Sequence, residues 1–475
     1  MGHQHQQPHI LMLPFPLLGH IKPMLNIAQL LCHAGLQVTF LNTQHNHHRL
    51  TQLQELSTHF PTLHFESISD GLPKDHPRTF DLTKDMVISF KSVTKPLFRE
   101  MLAEYSKNSD LGPVTCVIVD GIMYSFANDV AEELGIRVII TRPYSACCLW
   151  SFCCISKLIE EGHIPVGTKE DLDQTIKTVP GMEGLLRRRD LPSVCRQPIT
   201  DPLLQLFIEE SKTMTRASGI ILNTFDDLEG PILCHIAPLF PNVYTIGPLN
   251  ALVKTQIGDD IISQCLFSSS NILEPDHNCM TWLDSKPLRS VVYVSFGSIA
   301  RVTRSQLLEF WYGLVNSGAF FLWVIRRDMI EGVKGDDMIP MELEEATKER
   351  GLVVDWAPQE DVLAHSAVGG FFTHSGWNSI LESIDAGVPM ICWPLFGDHQ
   401  LNSRWVSEGW RIGLDMKDTC DRSTIETMIK TLMNHGREEI VRSMDRFSKL
   451  AHDSISLGGS SSSNLEKVIK DLRRI

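Results

Sequence analysis

Short apolar runs of strand length recur along the 475-residue chain, each followed by a stretch whose apolar residues fall at helical spacing, and this alternation constrains the fold most. His9 to Pro14 reads as a first strand. After a turn, Met24, Ile27, Ala28 and Leu31 share one helical face before Gly35 stops the helix. A second strand, "LQVTFLN", follows at once. The pattern returns with "VTCVIVD", a helix built on Phe126, Ala127, Val130, Ala131 and Leu134, then Gly135 and "IRVIIT". Strands alternating with helices predict a parallel sheet covered on both faces, because each crossover helix returns over the sheet.

A stretch rich in Ser, Asp, Asn and isolated prolines, residues 248–280, interrupts this pattern and reads as a linker. The alternation then restarts with "SVVYVSFGS" and a helix that Thr303 caps, with Gln306 reaching back and Gly318 ending it. "AFFLWVIRR", "GLVVDW", "VGGFFTHSG", a helix from Trp377 to Ala386 and "VPMICW" complete it. A chain this long exceeds one ordinary core. The predicted fold is therefore α/β, with two doubly wound domains in tandem over 1–247 and 281–457. The tail, 458–475, reads as a flexible Gly-Ser turn and then a helix whose apolar face is Leu465, Val468, Ile469, Leu472 and Ile475. That face must dock on something.

Several function classes fall away. With 43 Lys and Arg against 57 Asp and Glu, the net charge of -14 argues against a nucleic-acid or anionic-membrane surface and points to a small-molecule partner. No apolar run approaches the roughly 20 residues of a membrane span. Pro14 and Pro16 break the N-terminal apolar stretch, no Lys or Arg precedes it, and Gly2 lacks the downstream hydroxyl that myristoylation uses. A cytoplasmic monomer is expected. The twelve cysteines show no repeated paired spacing and read as reduced. Those of "ACCLWSFCC" (Cys147, Cys148, Cys153, Cys154) are expected in the core, since no CxxC or HxxxH partners them. Asp171 and Asp173, and the acidic pairs at 259–260 and 336–337, lie in polar loop-like segments and are expected to be solvated. No catalytic metal is predicted.

In open α/β sheets ligands bind beyond the carboxyl ends of the strands, so polar residues just after each strand are the candidates. After the first strand, "FPLLGHIKP" lacks the glycine fingerprint of a dinucleotide site and carries His20, a general base near neutral pH or a simple turn residue. Asp120 ends the strand "VTCVIVD", where a carboxylate can fix an imidazole tautomer or cap the next helix. Ser298 in "FGS", and His374, Gly376, Asn378 and Ser379 in "FFTHSGWNS", put small polar groups at helix entrances, which suits a diphosphate or plain capping. Glu382, one turn further on, can accept from ribose hydroxyls. Phe15, Leu17 and Leu18 suggest an apolar wall beside His20.

The segment "WAPQEDVLAHSAVGGFFTHSGWNSILESIDAGVPMICWPLFGDH" resembles the 44-residue signature box of plant family 1 UDP-dependent glycosyltransferases. The similarity runs on through "GHIKPMLNIAQLL", "LNTFDDLE", "IGPL" and "WLDSKPLRSVVYVSFGS". This resemblance implies a GT-B fold, two Rossmann-like domains facing a cleft, with the C-terminal helix crossing back to the N-terminal, acceptor-binding domain. It implies that Trp356 stacks on uracil, the Ala357 backbone bonds the base, and Gln359 and Glu382 hold the ribose. Ser298, His374, Asn378 and Ser379, around Gly376, would hold the diphosphate; the Trp377 backbone, Asp398 and His399 would meet the sugar. His20 becomes the base and Asp120 its partner in an inverting, metal-independent transfer that gives a β-glycoside, with the UDP-sugar as co-substrate and no cofactor. A non-catalytic UDP-sugar-binding protein would lack the pair at 20 and 120. "PLLGHIKPML" and "HNHHRL" look most like enzymes acting on terpenoid aglycones, triterpenoid or iridoid, with phenolic acceptors as the alternative. One departure matters: His399 is box position 44, where glucose-using relatives most often carry glutamine, and Gln400 falls one place beyond. Histidine there resembles users of galactose or a pentose such as xylose; UDP-glucose is the expected donor.

Overall fold

A computed structural model describes residues 7–50, 53–76, 78, 83–108, 110–167, 171–258, 276, 278–326, 329–330, 341–434 and 437–474. Seven strands, β1 (His9–Leu13), β2 (Gln37–Thr43), β3 (Leu63–Ile68), β4 (Val114–Asp120), β5 (Arg137–Arg142), β6 (Gly219–Leu222) and β7 (Val243–Thr245), form one parallel sheet in the order β3-β2-β1-β4-β5-β6-β7. Six more, β8 (Val291–Ser295), β9 (Phe320–Val324), β10 (Gly351–Val354), β11 (Val368–Thr373), β12 (Met390–Cys392) and β13 (Gly413–Asp415), form a second in the order β10-β9-β8-β11-β12-β13.

The near-continuous apolarity of these strands follows from burial on both faces. Leu11 and Leu13 of β1 enter one core with Val117, Val119 and Ile140, while Ile10 and Met12 enter the opposite core with Val38, Phe40 and Ile118. The second sheet splits likewise, Tyr293 and Phe371 to one side and Val292, Val294 and Phe372 to the other. Cys147 and Cys148 are fully buried in the first half's core, and burial pushes both thiols well above their ordinary range.

Punctuation read from sequence recurs as geometry. Thr303 Oγ1 accepts the Gln306 N–H and the Gln306 side chain returns to the Thr303 N–H, opening the helix Arg304–Ser317, which Gly318 closes at φ 73°. Two expectations change. The linker range opens on a helix, Leu249–Ile257, whose Ala251, Leu252 and Val253 are buried in the first half's core; residues 259–275 lie outside the description. The serine run is no flexible turn: the last helix is Ser460–Leu472, and Ser461 Oγ donates to the Gly247 carbonyl at 2.5 Å. Leu465, Val468 and Leu472 dock in the first half's core, with Ile469 at its edge, while Ile475 is outside the described residues. Among the described residues no helix is long and apolar enough to cross a membrane.

Candidate active site

Each sheet has one point where the strand order reverses, and a crevice opens there between crossovers that leave in opposite directions. In the first sheet it falls between β1 and β4, in the second between β8 and β11. All four polar tips singled out in the sequence sit at these two points.

His20 lies in the first turn of the helix Leu18–His33, directly after β1, and Asp120 is the last residue of β4. His20 Nδ1 stands 2.7 Å from Asp120 Oδ2. Asp120 is fully buried, and its Oδ1 accepts the Ile122 N–H at 3.0 Å, so one carboxylate both caps the following turn and holds the imidazole. A proton kept on Nδ1 leaves the Nε2 lone pair free to act as a base. Phe15 packs edge-on to His20 at 5.3 Å, and Phe90 and Phe126 extend the apolar wall. Phe15 and Leu17 are buried in that cluster; Leu18 is partly exposed at the helix start.

The second switch point holds Ser298 after β8 and His374 after β11. A Cβ at Gly297 would lie 2.6 Å from His374 Nε2, and one at Gly376 would lie 2.5 Å from it, so both loops close on the imidazole only as glycines. Burial holds His374 down to about 4, a hydrogen bond to the Ser295 backbone opposing and the Arg326 charge assisting. Ser375, at φ 70°, turns the chain into the helix Trp377–Ala386. No side chain caps that helix and no acid stands in its first turn, so its amide groups and positive dipole end face the crevice beside Asn378 and Ser379. Trp377 itself is buried, its Nε1 donating to the Asn223 carbonyl at 2.7 Å.

One turn on, Glu382 Oε2 accepts from Gln359 Nε2 at 2.6 Å, and the same amide donates to Ser379 Oγ at 3.0 Å. Trp356 is partly buried against the second half's core, and Ala357 is buried beside it. Asp398 is partly buried at the start of the short helix His399–Arg404, where Asn402 Nδ2 donates to its Oδ2 at 2.6 Å. Burial pushes Asp398 up to about 6, against the Asn402 bond and the charge of His20. His399 is buried edge-on to His374 at 4.8 Å and beside Phe396 at 4.6 Å. Burial, then His374, holds its imidazole well below the ordinary value. Its Nδ1 accepts the Phe396 N–H at 3.4 Å, which assigns the ring proton to Nε2. Gln400 is buried with its Oε1 unpartnered.

Sequence reading missed Lys22, which reaches Glu382 from the first half, and Asn402. The four-residue step from Asp398 to Asn402 on a helix could have flagged the second; nothing local marks the first. Asp173 pairs on the surface with Arg187 and Arg189. The acidic pairs at 259–260 and 336–337 lie outside the described residues. Among the described residues no group of three or more His, Cys, Asp or Glu side chains could hold a metal ion.

Comparison with known proteins agrees with this geometry. Residues 272–455 match the family described as UDP-glucoronosyl and UDP-glucosyl transferase. The chain is 50% identical over 474 residues to a 7-deoxyloganetic acid glucosyltransferase of Catharanthus roseus, covering 98% of each chain. It is 46% identical over 457 residues to the Mogroside I-A1 synthase of Siraitia grosvenorii, covering 95% of this chain and 86% of that one. The crystal structure of Medicago truncatula UGT71G1 complexed with UDP-glucose superposes with a TM-score of 0.82 at 25% identity over 100% of both chains. The two facing sheets are thus a GT-B fold, and with half its residues shared end to end with such a relative, the chain belongs to the UDP-glucoronosyl and UDP-glucosyl transferase family.

Proposed function

We propose that this enzyme transfers glucose from UDP-glucose to a hydroxyl or carboxyl of a small apolar acceptor, a terpenoid foremost, with inversion at the anomeric carbon. The observation that carries it is the His20–Asp120 pair at 2.7 Å, one base poised at the crevice facing the second half's helix entrance. The acceptor O–H gives its proton to His20 Nε2, and the oxygen bonds to the anomeric carbon as the bond from that carbon to the UDP oxygen breaks. The leaving electron pair goes to the diphosphate. Attack opposite UDP turns an α-linked donor into a β-glycoside. Asp120 stabilises the imidazolium that forms. The amides at the start of Trp377–Ala386, with Ser298, Asn378 and Ser379, receive the charge that grows on the diphosphate. His374, neutral by burial, adds a contact that strengthens when an anion draws a proton to it.

Glucose as the sugar, and a terpenoid as the acceptor, rest on relatives named for 7-deoxyloganetic acid glucosylation and for a mogroside at 50% and 46% identity. Phe15, Phe90 and Phe126 give the acceptor side an apolar wall that suits the same class. Cytoplasmic, monomeric and metal-independent action belongs to this reading.

The test offers purified protein UDP-glucose, UDP-galactose and UDP-xylose against terpenoid and phenolic alcohols, with products read by mass. Glucosylated terpenoid is the expected product. In the same assay His20→Ala lowers turnover by about 10²- to 10⁴-fold, the usual worth of a general base, with UDP affinity retained. Undiminished transfer by His20→Ala would sink the mechanism.

A further inference from the structure

Four charged side chains from four helices alternate in sign where the halves meet. Lys254 Nζ lies 2.9 Å from Glu360 Oε2, and Lys22 Nζ lies 2.6 Å from Glu360 Oε1 and 2.8 Å from Glu382 Oε1. Both lysines come from the first half, on Leu18–His33 and Leu249–Ile257; both carboxylates come from the second, on Gln359–Ala364 and Trp377–Ala386. The carboxylates are nearly buried, with 12% of the Glu360 side chain and 5% of that of Glu382 exposed. Burial works against the charge on Glu360, but Lys22 and Lys254 hold it below the usual carboxylate range. Glu382 is then fixed from both sides, Lys22 on Oε1 and Gln359 on Oε2, and Tyr293 O–H donates to the Gln359 amide oxygen at 3.4 Å. A small cleft beside this carboxylate is lined by Lys22, Asn26, Asn223, Asn378 and Glu382.

We propose that Lys22 is a donor-site residue supplied by the half that carries the base: it pairs with and orients the Glu382 carboxylate as acceptor for the vicinal ribose hydroxyls of a uridine nucleotide. The inference rests on the ribose-binding reading of Glu382. A carboxylate is an acceptor-only group, matched to two O–H donors of a diol, and its counter-ion sets which lone pairs point to them. Without Lys22, two nearly buried carboxylates would stand beside each other and beside a diphosphate, which disfavours the nucleotide by like-charge repulsion. Lys22 also follows His20 by two residues on one helix, so the contact that fixes the ribose fixes the height of the base.

The test is calorimetric titration of UDP and of 2′,3′-dideoxy-UDP into the whole wild-type chain and into Lys22→Met, Lys22→Gln, Lys22→Arg and Lys254→Met. The wild type is expected to prefer UDP by about tenfold or more, the worth of one or two hydrogen bonds to a charged group. Lys22→Met and Lys22→Gln lose most of that preference, while Lys22→Arg keeps part of it. Lys254→Met, which removes only the outer cation, keeps the preference even if it melts lower. Lys22→Gln preserves the polar side chain and carries the decision should Lys22→Met fail to fold. Lys22 variants that weaken both nucleotides equally, or that keep the wild-type ratio, overturn the inference and leave the proposed function standing. Loss of the ratio in Lys254→Met as complete as in Lys22→Met overturns it too. A wild type that binds UDP without discriminating removes the ribose role of Glu382, and the inference with it. Failure of the wild type to bind UDP at all overturns the proposed function itself.

Discussion

In the proposed reading Asp398 meets the sugar, and one buried amide tunes this carboxylate. Asn402, fully buried, donates to Asp398 Oδ2 at 2.6 Å and to the Ser375 carbonyl at 3.1 Å, and its own oxygen accepts from Ser145 Oγ of the first half at 3.0 Å. His20 and the Cys148 thiol, both on the first half, face Asp398. A carboxylate pushed up to about 6 is charged above that pH and neutral below it, so its pull on sugar hydroxyls fades as pH falls through about 6. The affinity for UDP-glucose should therefore decline on that side. Asn402→Ala removes a bond that favours the charged form, so the decline should move up by about one pH unit, the equivalent of a charge-assisted hydrogen bond. The dissociation constant of UDP-glucose across pH, in the wild type and in Asn402→Ala, checks this, since its diphosphate diester keeps its charge over this range whereas the terminal phosphate of UDP itself titrates at about pH 6; a profile identical in the two proteins would refute it. Asp398 and His399 were legible because the signature box fixes their place. The protonation of His399 was not, because it depends on a fold that buries the ring between His374 and Phe396.

At the scale of elements, the site is two strand-turn-helix units brought to one switch point, and the turns do the joining. Gly297 sits at φ 78°, in the left-handed region that glycine tolerates best, and packs on the imidazole of the second turn. Gly297→Ala therefore meets two penalties at once, an unfavourable backbone and a methyl 2.6 Å from His374 Nε2. The expected outcome is a protein that still folds, since the substitution lies at a loop edge, but binds UDP about 5- to 150-fold more weakly, because the relaxed turn must be forced back to its binding geometry at a backbone-strain cost of about 1–3 kcal/mol. Titration calorimetry with far-ultraviolet circular dichroism separates the two; unchanged UDP affinity would show that the turns need not touch. These units were readable from sequence because their signals are local: apolar runs of strand length, a capping box at Thr303 and Gln306, a closing glycine at 318. The Gly-Ser run was misread for the same reason. Serine favours caps and turns in isolation, but here Ser461 and Ser462 are buried against the first half, and packing overrides propensity.

At the scale of the molecule, the halves are joined by contacts that no local period encodes. Trp377 Nε1 donates to the Asn223 carbonyl and Trp410 Nε1 to the Leu228 carbonyl, 154 and 182 residues away along the chain. The last helix makes the same kind of bond on a larger scale. The helix Glu438–Ile455 packs Met444, Phe447 and Ala451 into the second half, and the chain then crosses to set Leu465, Val468 and Leu472 into the first. Asp471 accepts the Tyr244 O–H at 2.8 Å, and Asn464 donates to Thr245 Oγ1 at 2.8 Å, so the crossing also satisfies the β7 end of the first sheet. Burying three aliphatic side chains contributes up to about 5–9 kcal/mol by area, an upper bound because the unfolded chain is itself partly collapsed. That is comparable to the whole stability of a typical domain, about 5–15 kcal/mol. A chain ending at Ser456 should therefore unfold in two steps. The first sheet, which carries His20 and Asp120, should melt first and take glucosyl transfer with it; the second should melt later, at a temperature that added UDP raises. Calorimetric scanning with and without UDP reads both steps. One cooperative transition at the wild-type temperature, with transfer intact, would mean that the first half holds its sheet without the returning helix.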